Sequence, residues 1–331
     1  MPKNMMVELS NGCNHACIFC TSPYMTRKIG RIDKSFLFQI MADARALGVE
    51  EIGFYTTGDP FVHTDLDKFT SQAKALGFSY IYISTNGALA SPERAKAVID
   101  AGMDSIKFSI NAASRESYEL IHGRDDWDLV MANLRFISEY RRTLGRPLKL
   151  FITSVVTTQN AHEIEKFKAE VKDLVDEIIF TAVQNQSGQM NSAQDILSAD
   201  GGTSFKTASI CTMPFNRLHV SCEGYLTLCC VDYQNYLAVA DLRHVPLKDA
   251  WTAPEFRTMR ERHLSQSLEG TLCGNCWQGR RDRVEPVRSE LATEIDFPKL
   301  YDKVGEIISD RLHSEKVGGR AGVRKASRAK A

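Results

Sequence analysis

The chain has 331 residues, 43% hydrophobic and 25% charged, enough to bury a large core and more than a single domain usually holds. Its 41 basic and 41 acidic residues cancel, which argues against nucleic acid as the main partner. No apolar run reaches the length of a membrane span and the first residues, MPKNMMVELS, lack the apolar centre of a secretion signal, so the chain is expected in the cytoplasm, with no membrane partner.

The first predicted strand, 5–10, leads directly into NGCNHACIFC, where Cys13, Cys17 and Cys20 have the spacing C-x3-C-x2-C. Nine cysteines in a reducing compartment are better read as metal ligands than as disulfides. An all-thiolate set suits zinc or an iron–sulfur cluster. Structural zinc wants four closed ligands, whereas three thiolates leave one iron of a four-iron cube open to another ligand. Beyond this loop, β-rich runs at 51–57, 80–85, 105–110, 148–157 and 177–183 alternate with helical patterns at 34–47, 65–76, 91–101, 126–143 and 161–174. The helices show apolar residues at helical spacing, as in Leu37, Ile40, Met41 and Ala44. Such alternation predicts an α/β fold with a parallel sheet and outer helices, and six units are too few to close an eight-stranded barrel. In parallel barrels chemistry collects at the carboxyl ends of strands, and there the cysteine loop lies.

With Phe19 before the last cysteine, the cysteine loop resembles the signature of the radical S-adenosylmethionine (radical SAM) family. That resemblance implies a partial (β/α)6 barrel, with the open iron chelated by S-adenosylmethionine. It also assigns expected cofactor contacts. Thr57, Gly58 and Asp59 resemble the family's Gly-Gly-Glu-Pro loop, departing at Thr57 and Asp59. In it Gly58 would let backbone approach a ligand and Asp59 would receive the methionine ammonium. Ser84 opens Ser-Thr-Asn-Gly, similar to the family's Thr-Asn-Gly turn. Lys107, Ser109 and Asn111 alternate with apolar residues and are expected to face the cavity, with Ser109 and Asn111 matching the family's Ser-x-Asp position near the ribose. On the fifth strand either Thr153 or Ser154 could reach the adenosine. His15 and His63 are expected to be solvated loop histidines.

A second cysteine group begins at Cys211 and runs through Gly224, Cys229 and the pair Cys273 and Cys276. Four thiolates alone would allow a zinc ribbon, but only one half is C-x2-C. The pattern, with Leu247 to Trp251 and Phe256 to Arg260 between, resembles the SPASM/twitch region, which implies one auxiliary [4Fe-4S] cluster. Cys222 and Cys230 read as small buried residues, although Cys230 could replace Cys229 as ligand. With all four corners filled, such a cluster would transfer electrons instead of anchoring substrate. The last segment reads as a helix from 291 to 313 followed by a basic, disordered tail.

The expected organisation is a radical SAM core at 1–195, a small auxiliary-cluster domain at 196–290 and the helix and tail at 291–331. The resemblance implies cleavage of S-adenosylmethionine to methionine and a 5′-deoxyadenosyl radical that takes a hydrogen atom from substrate, fed by an electron donor such as flavodoxin or ferredoxin. Two enzymatic readings differ in substrate: oxidation of a small polar metabolite such as a sugar or cyclitol, or modification of a ribosomally made precursor peptide. The cysteine motif starting at residue 13 leaves no room before it for a leader-peptide-binding domain, which favours the small substrate. A non-catalytic iron–sulfur or zinc binding module is the reading of another class.

Overall fold

The computed structural model describes residues 1–190, 196–198 and 210–314. The expected domain boundary at 195 and the basic tail beyond 314 lie outside the described residues. Six strands, β1 (Asn4–Val7), β2 (Glu51–Gly53), β3 (Tyr80–Thr85), β4 (Ser105–Ser109), β5 (Lys149–Val156) and β6 (Glu177–Ala182), lie side by side in chain order, all parallel. Between them run α1 (Lys34–Ala46), α2 (Leu66–Ala75), α3 (Pro92–Asp100), α4 (Arg115–His122), α5 (Trp127–Tyr140) and α6 (Ile164–Val171). This is a partial (β/α)6 barrel.

Local chemistry sets the helix starts. The Asp33 side chain accepts from the Phe36 N–H at 2.8 Å to open α1, and Ser91 with Pro92 behind it opens α3. The sheet is two-faced. Met5, Val7, Ile52, Ile81, Ile83, Ile106, Phe108 and Ile152 are buried against the helices, where they meet Leu37, Ile40, Met41, Phe69, Val98 and Leu134. Burial of each such side chain contributes about 1.5–3 kcal/mol, so this layer carries the fold. The opposite, inner face is polar and half-buried at Ser84, Lys107, Ser109 and Thr153.

Two features depart from the sequence expectation. Helix α4 falls between the predicted fourth strand and the predicted helix 126–143: Ser114 caps it by accepting from the Ser117 N–H at 3.2 Å, and Gly123 ends it in the left-handed region at φ 73°. Eight residues are too short for a clear helical period, but the cap and the glycine were readable. The C-terminal segment, moreover, continues the core sheet. β7 (Arg217–Val220) pairs parallel with β1, and the antiparallel strands β8 (Tyr225–Thr227) and β9 (Ala238–Asp241) extend it to nine strands. Short helices α7 (Met213–Asn216), α8 (Leu247–Trp251), α9 (Pro254–Leu264) and α10 (Leu272–Trp277) surround this extension. The last helix, α11 (Phe297–Ser314), starts six residues later than expected from 291.

Candidate functional site

The Cys13–Cys20 loop leaves the carboxyl end of β1 and is pinned from two sides. The Ala16 and Ile18 N–H groups donate to the carbonyls of His122 and Ile121 at the end of α4, at 3.0 and 2.9 Å. Arg311 of α11 donates to the Ala16 carbonyl at 2.9 Å. Each thiol meets a polar group from a different element. Asn86 Nδ2 lies 3.7 Å from Cys13 Sγ, His122 Nδ1 lies 3.7 Å from Cys17 Sγ, and the Tyr233 hydroxyl lies 3.5 Å from Cys20 Sγ. Burial pushes the Cys13 thiol up to about 12 and raises Cys17 and Cys20 as well, so without a cation these groups are neutral and metal binding must release their protons. Three soft donors held on one loop fit an iron–sulfur cluster with an open corner.

His15 and His63 are both buried, at 6% exposure, and not solvated as expected. His15 Nε2 lies 3.1 Å from the Asp126 carboxylate, and its Nδ1 faces His122 Nδ1 at 3.3 Å. His63 packs edge-on against Phe69 and accepts from the Asp65 N–H at 3.1 Å, a structural role.

The turn after β2 packs on the cysteine loop. A Cβ at Gly58 would overlap the carbonyl oxygens of Ser10 and Gly12, so the glycine serves the contact between two loops as well as any ligand. One Asp59 oxygen accepts from the Phe61 N–H at 2.9 Å, and the other from Thr85 Oγ1 and the Asn86 N–H, both at 2.8 Å. Burial pushes this carboxyl up against those three hydrogen bonds, which favour the anion. Thr57 donates to Glu8, whose other oxygen binds Arg27 of the cysteine loop and, at 2.9 Å, the Cys222 N–H. Arg27 continues to Glu223 at 3.0 Å. This buried ion network ties the cysteine loop to the β2 turn and the β7–β8 hairpin.

On the inner face Ser84 and Ser109 hydroxyls lie 3.4 Å apart, and the register pairs Ser109 with Thr153, so Thr153 and not Ser154 faces inward. Asn111, expected to open to the cavity, is only 2% exposed. Its Oδ1 accepts from the Val155 N–H at 2.7 Å and its backbone N–H donates to His122 Nε2 at 3.3 Å, because the chain turns outward after β4 to reach α4. Phe19 packs half-buried against the core.

In the C-terminal segment Cys211, Cys229, Cys273 and Cys276 line one cavity with Met213, Leu228 and Trp277. Cys273 and Cys276 come from α10, which is capped by the Thr271 hydroxyl accepting from the Gly274 N–H at 3.0 Å. A Cβ at Gly274 would overlap the Leu268 carbonyl, so only glycine lets this helix sit down. Burial raises Cys273 well above the usual thiol value and Cys276 to about 12. Four thiols converging on an apolar space are a donor set that fits a closed cluster. Cys222 is buried, while Cys230, outside this cavity, lies near His219 and Arg217.

Sequence reasoning missed Asn86, His122, Tyr233 and the Glu8–Arg27 pair. Asn86 belongs to the Ser-Thr-Asn-Gly turn, but its reach to Cys13 has no local signal; it, His122 and Tyr233 meet the cysteines across 73 or more positions of chain, and Glu8 and Arg27 meet each other across 19.

Comparison with known proteins places these features in a family. The radical SAM superfamily model matches residues 7–171, and an iron–sulfur cluster-binding SPASM domain matches 211–277. A probable GTP 3′,8-cyclase of Metallosphaera sedula is 26% identical over 182 residues, 51% of this chain and 52% of that protein. The chain thus spans about half the length of the curated relatives it matches. In fold it is similar to BtrN in complex with AdoMet and 2-DOIA, at a TM-score of 0.58 and 16% identity over 83% of this chain and 93% of that one. It is also similar to Streptococcus suis SuiB bound to precursor peptide SuiA, at 0.64 and 14% over 88% and 76%. The chain belongs to the radical SAM superfamily with a C-terminal SPASM domain, and its cofactors are a [4Fe-4S] cluster that binds S-adenosylmethionine and an auxiliary iron–sulfur cluster.

Proposed function

We propose that the protein oxidises an alcohol carbon of a small polar metabolite, such as a sugar or cyclitol. The observation that carries this reading is the convergence of Cys211, Cys229, Cys273 and Cys276 on one cavity, which would fill every corner of an auxiliary cube and leave no iron for substrate. Electron transfer is the remaining role. In this reading Cys13, Cys17 and Cys20 hold the first cluster, and Phe19, Thr57, Gly58, Asp59, Ser84 and Ser109 surround S-adenosylmethionine. Asp59 has one lone pair left for the ammonium after its three internal hydrogen bonds. Asn111 acts indirectly by orienting His122. When bound, the first cluster and S-adenosylmethionine supply hydrogen-atom abstraction.

Loss of a hydrogen atom from an alcohol carbon must be followed by loss of one electron and the hydroxyl proton to give a ketone. Tyr233 spans the two cysteine groups along which that electron would leave. Its hydroxyl lies 3.5 Å from Cys20 Sγ and donates to Gln186 Oε1 at 2.7 Å, one residue before Ser187 at the auxiliary cavity. A flavodoxin or ferredoxin in the cytoplasm would return electrons to the first cluster, and residues 1–195 and 196–290 would divide the work.

Reconstituted protein should be given S-adenosylmethionine, a reductant and candidate sugars or cyclitols deuterated at the reacting carbon. Deuterium in 5′-deoxyadenosine together with a ketone product is expected, and Cys273→Ala should keep the first and lose the second. A redox-neutral product, or turnover only of a short peptide, would overturn the oxidation reading.

A further inference from the structure

We infer that the inner face of the barrel beneath Ser109 holds an oxyanion, a phosphate or carboxylate group carried by the substrate; this rests on the reading of the barrel as the reaction chamber. Lys107 lies two residues before Ser109 on β4, and Arg217 opens β7. Strand alternation turns both toward the inner face, where Tyr55 and Tyr82 lie. The Lys107 ammonium sits 5.3 Å from the centre of the Tyr55 ring, which meets Tyr82 edge-on at 5.8 Å. The Arg217 guanidinium contacts the Met6 sulfur at 3.6 Å. Among the described residues neither cation forms an ion pair or donates to a carboxylate, and the acids on this face are otherwise engaged. Glu51 accepts from Asn4 Nδ2 at 2.8 Å, and Glu8 is held by Arg27 and Thr57.

Unpaired like charges on one half-buried face repel each other and lose hydration, an arrangement that costs stability until an anion arrives. Burial first, and the Arg217 charge second, push the Lys107 ammonium down from its ordinary value. A further polar group points the same way. His219, next on the inner face of β7, is fully buried, with the Cys230 thiol beside it and no nitrogen or oxygen partner at either ring nitrogen. The Arg217 fork suits a bidentate oxyanion and Lys107 adds a point charge. Lys107 and Ser109 are one pleat apart, about 6.6 Å along the strand. An anion at Lys107 therefore anchors one end of a substrate whose other end reaches the Ser84–Ser109 pair.

Calorimetry on reconstituted, S-adenosylmethionine-loaded protein tests this with pyrophosphate and, separately, succinate. Saturable binding of at least one is expected, weakened about tenfold or more, the size of one lost charge-assisted contact, by Lys107→Met and by Arg217→Met. Lys107→Arg should retain it, and all three variants should keep wild-type iron content and S-adenosylmethionine affinity. Preference for pyrophosphate assigns a phosphate, and preference for succinate a carboxylate. Binding of neither, or equal binding by wild type and both methionine variants, overturns the site. Cleavage of S-adenosylmethionine by the wild type is followed independently, so its absence would count against the radical reading and not against the anion site.

Discussion

His122 meets the cysteine loop as a neutral imidazole, its pKa driven well below the ordinary value by burial, then by His15 and Arg311. Asn111 donates to Nε2, so the proton must sit on Nδ1, where it faces Cys17 Sγ and His15 Nδ1. An N–H aimed at a cluster thiolate stabilises the more reduced, more negative state. His122→Phe should lower the midpoint potential of the first cluster by about 20–60 mV, the equivalent of one hydrogen bond worth about 0.5–1.5 kcal/mol for one electron. A redox titration followed by electron paramagnetic resonance reads the shift; an unchanged potential would reduce His122 to packing. The Glu8–Arg27 pair makes a second prediction. Burial would raise the Glu8 carboxyl, but the Arg27 charge and hydrogen bonds outweigh it and hold the pKa below the usual range. Its stabilising contribution is therefore complete above the unfolded carboxylate pKa of about 4.3 and fades as pH falls through the lower folded value. Arg27→Met strands a buried carboxylate and should cost about 3–5 kcal/mol near pH 7, a penalty that shrinks on acidification as Glu8 takes a proton. Urea unfolding of the apoprotein at several pH values measures it. Single residues were legible where spacing is local, as for the cysteines. They were illegible where a side chain arrives from another element without a motif, as for His122 and Tyr233.

Among the elements, α10 is the most sensitive to one atom. Gly274→Ala would drive a methyl into the Leu268 carbonyl and lift Cys273 and Cys276 from the cavity. The variant should retain the first cluster while losing the auxiliary one, about four of roughly eight irons expected for two cubes. Iron analysis with electron paramagnetic resonance distinguishes this from general unfolding, and a full iron complement would show that α10 tolerates the shift. The core strands and helices could be read from alternation because every pleat or turn repeats the same burial decision. Strand ends could not: the predicted run 51–57 stops at Gly53, where Tyr55 and the Thr57–Asp59 turn leave the ladder to meet the cysteine loop. Nor could β7 to β9 be read, since their place is set by pairing with β1 more than two hundred residues away.

At the scale of the molecule, that pairing makes the two cysteine regions parts of one sheet. β1 is the middle partner of β2 and β7, and Arg27 bridges from the cysteine loop to Glu223 beyond β7. A truncated protein ending before residue 210 would bare the β1 edge along Asn4–Val7, a buried strand in the intact chain. It should aggregate, as size-exclusion chromatography would show; a monodisperse truncated protein would mean that the core stands without the extension. The most direct test of the whole account is cleavage of S-adenosylmethionine by anaerobically reconstituted, reduced protein. The wild type should release 5′-deoxyadenosine and methionine, and Cys17→Ala should release neither while retaining the auxiliary cluster. Normal cleavage by Cys17→Ala, or none by a wild type holding both clusters, would contradict it.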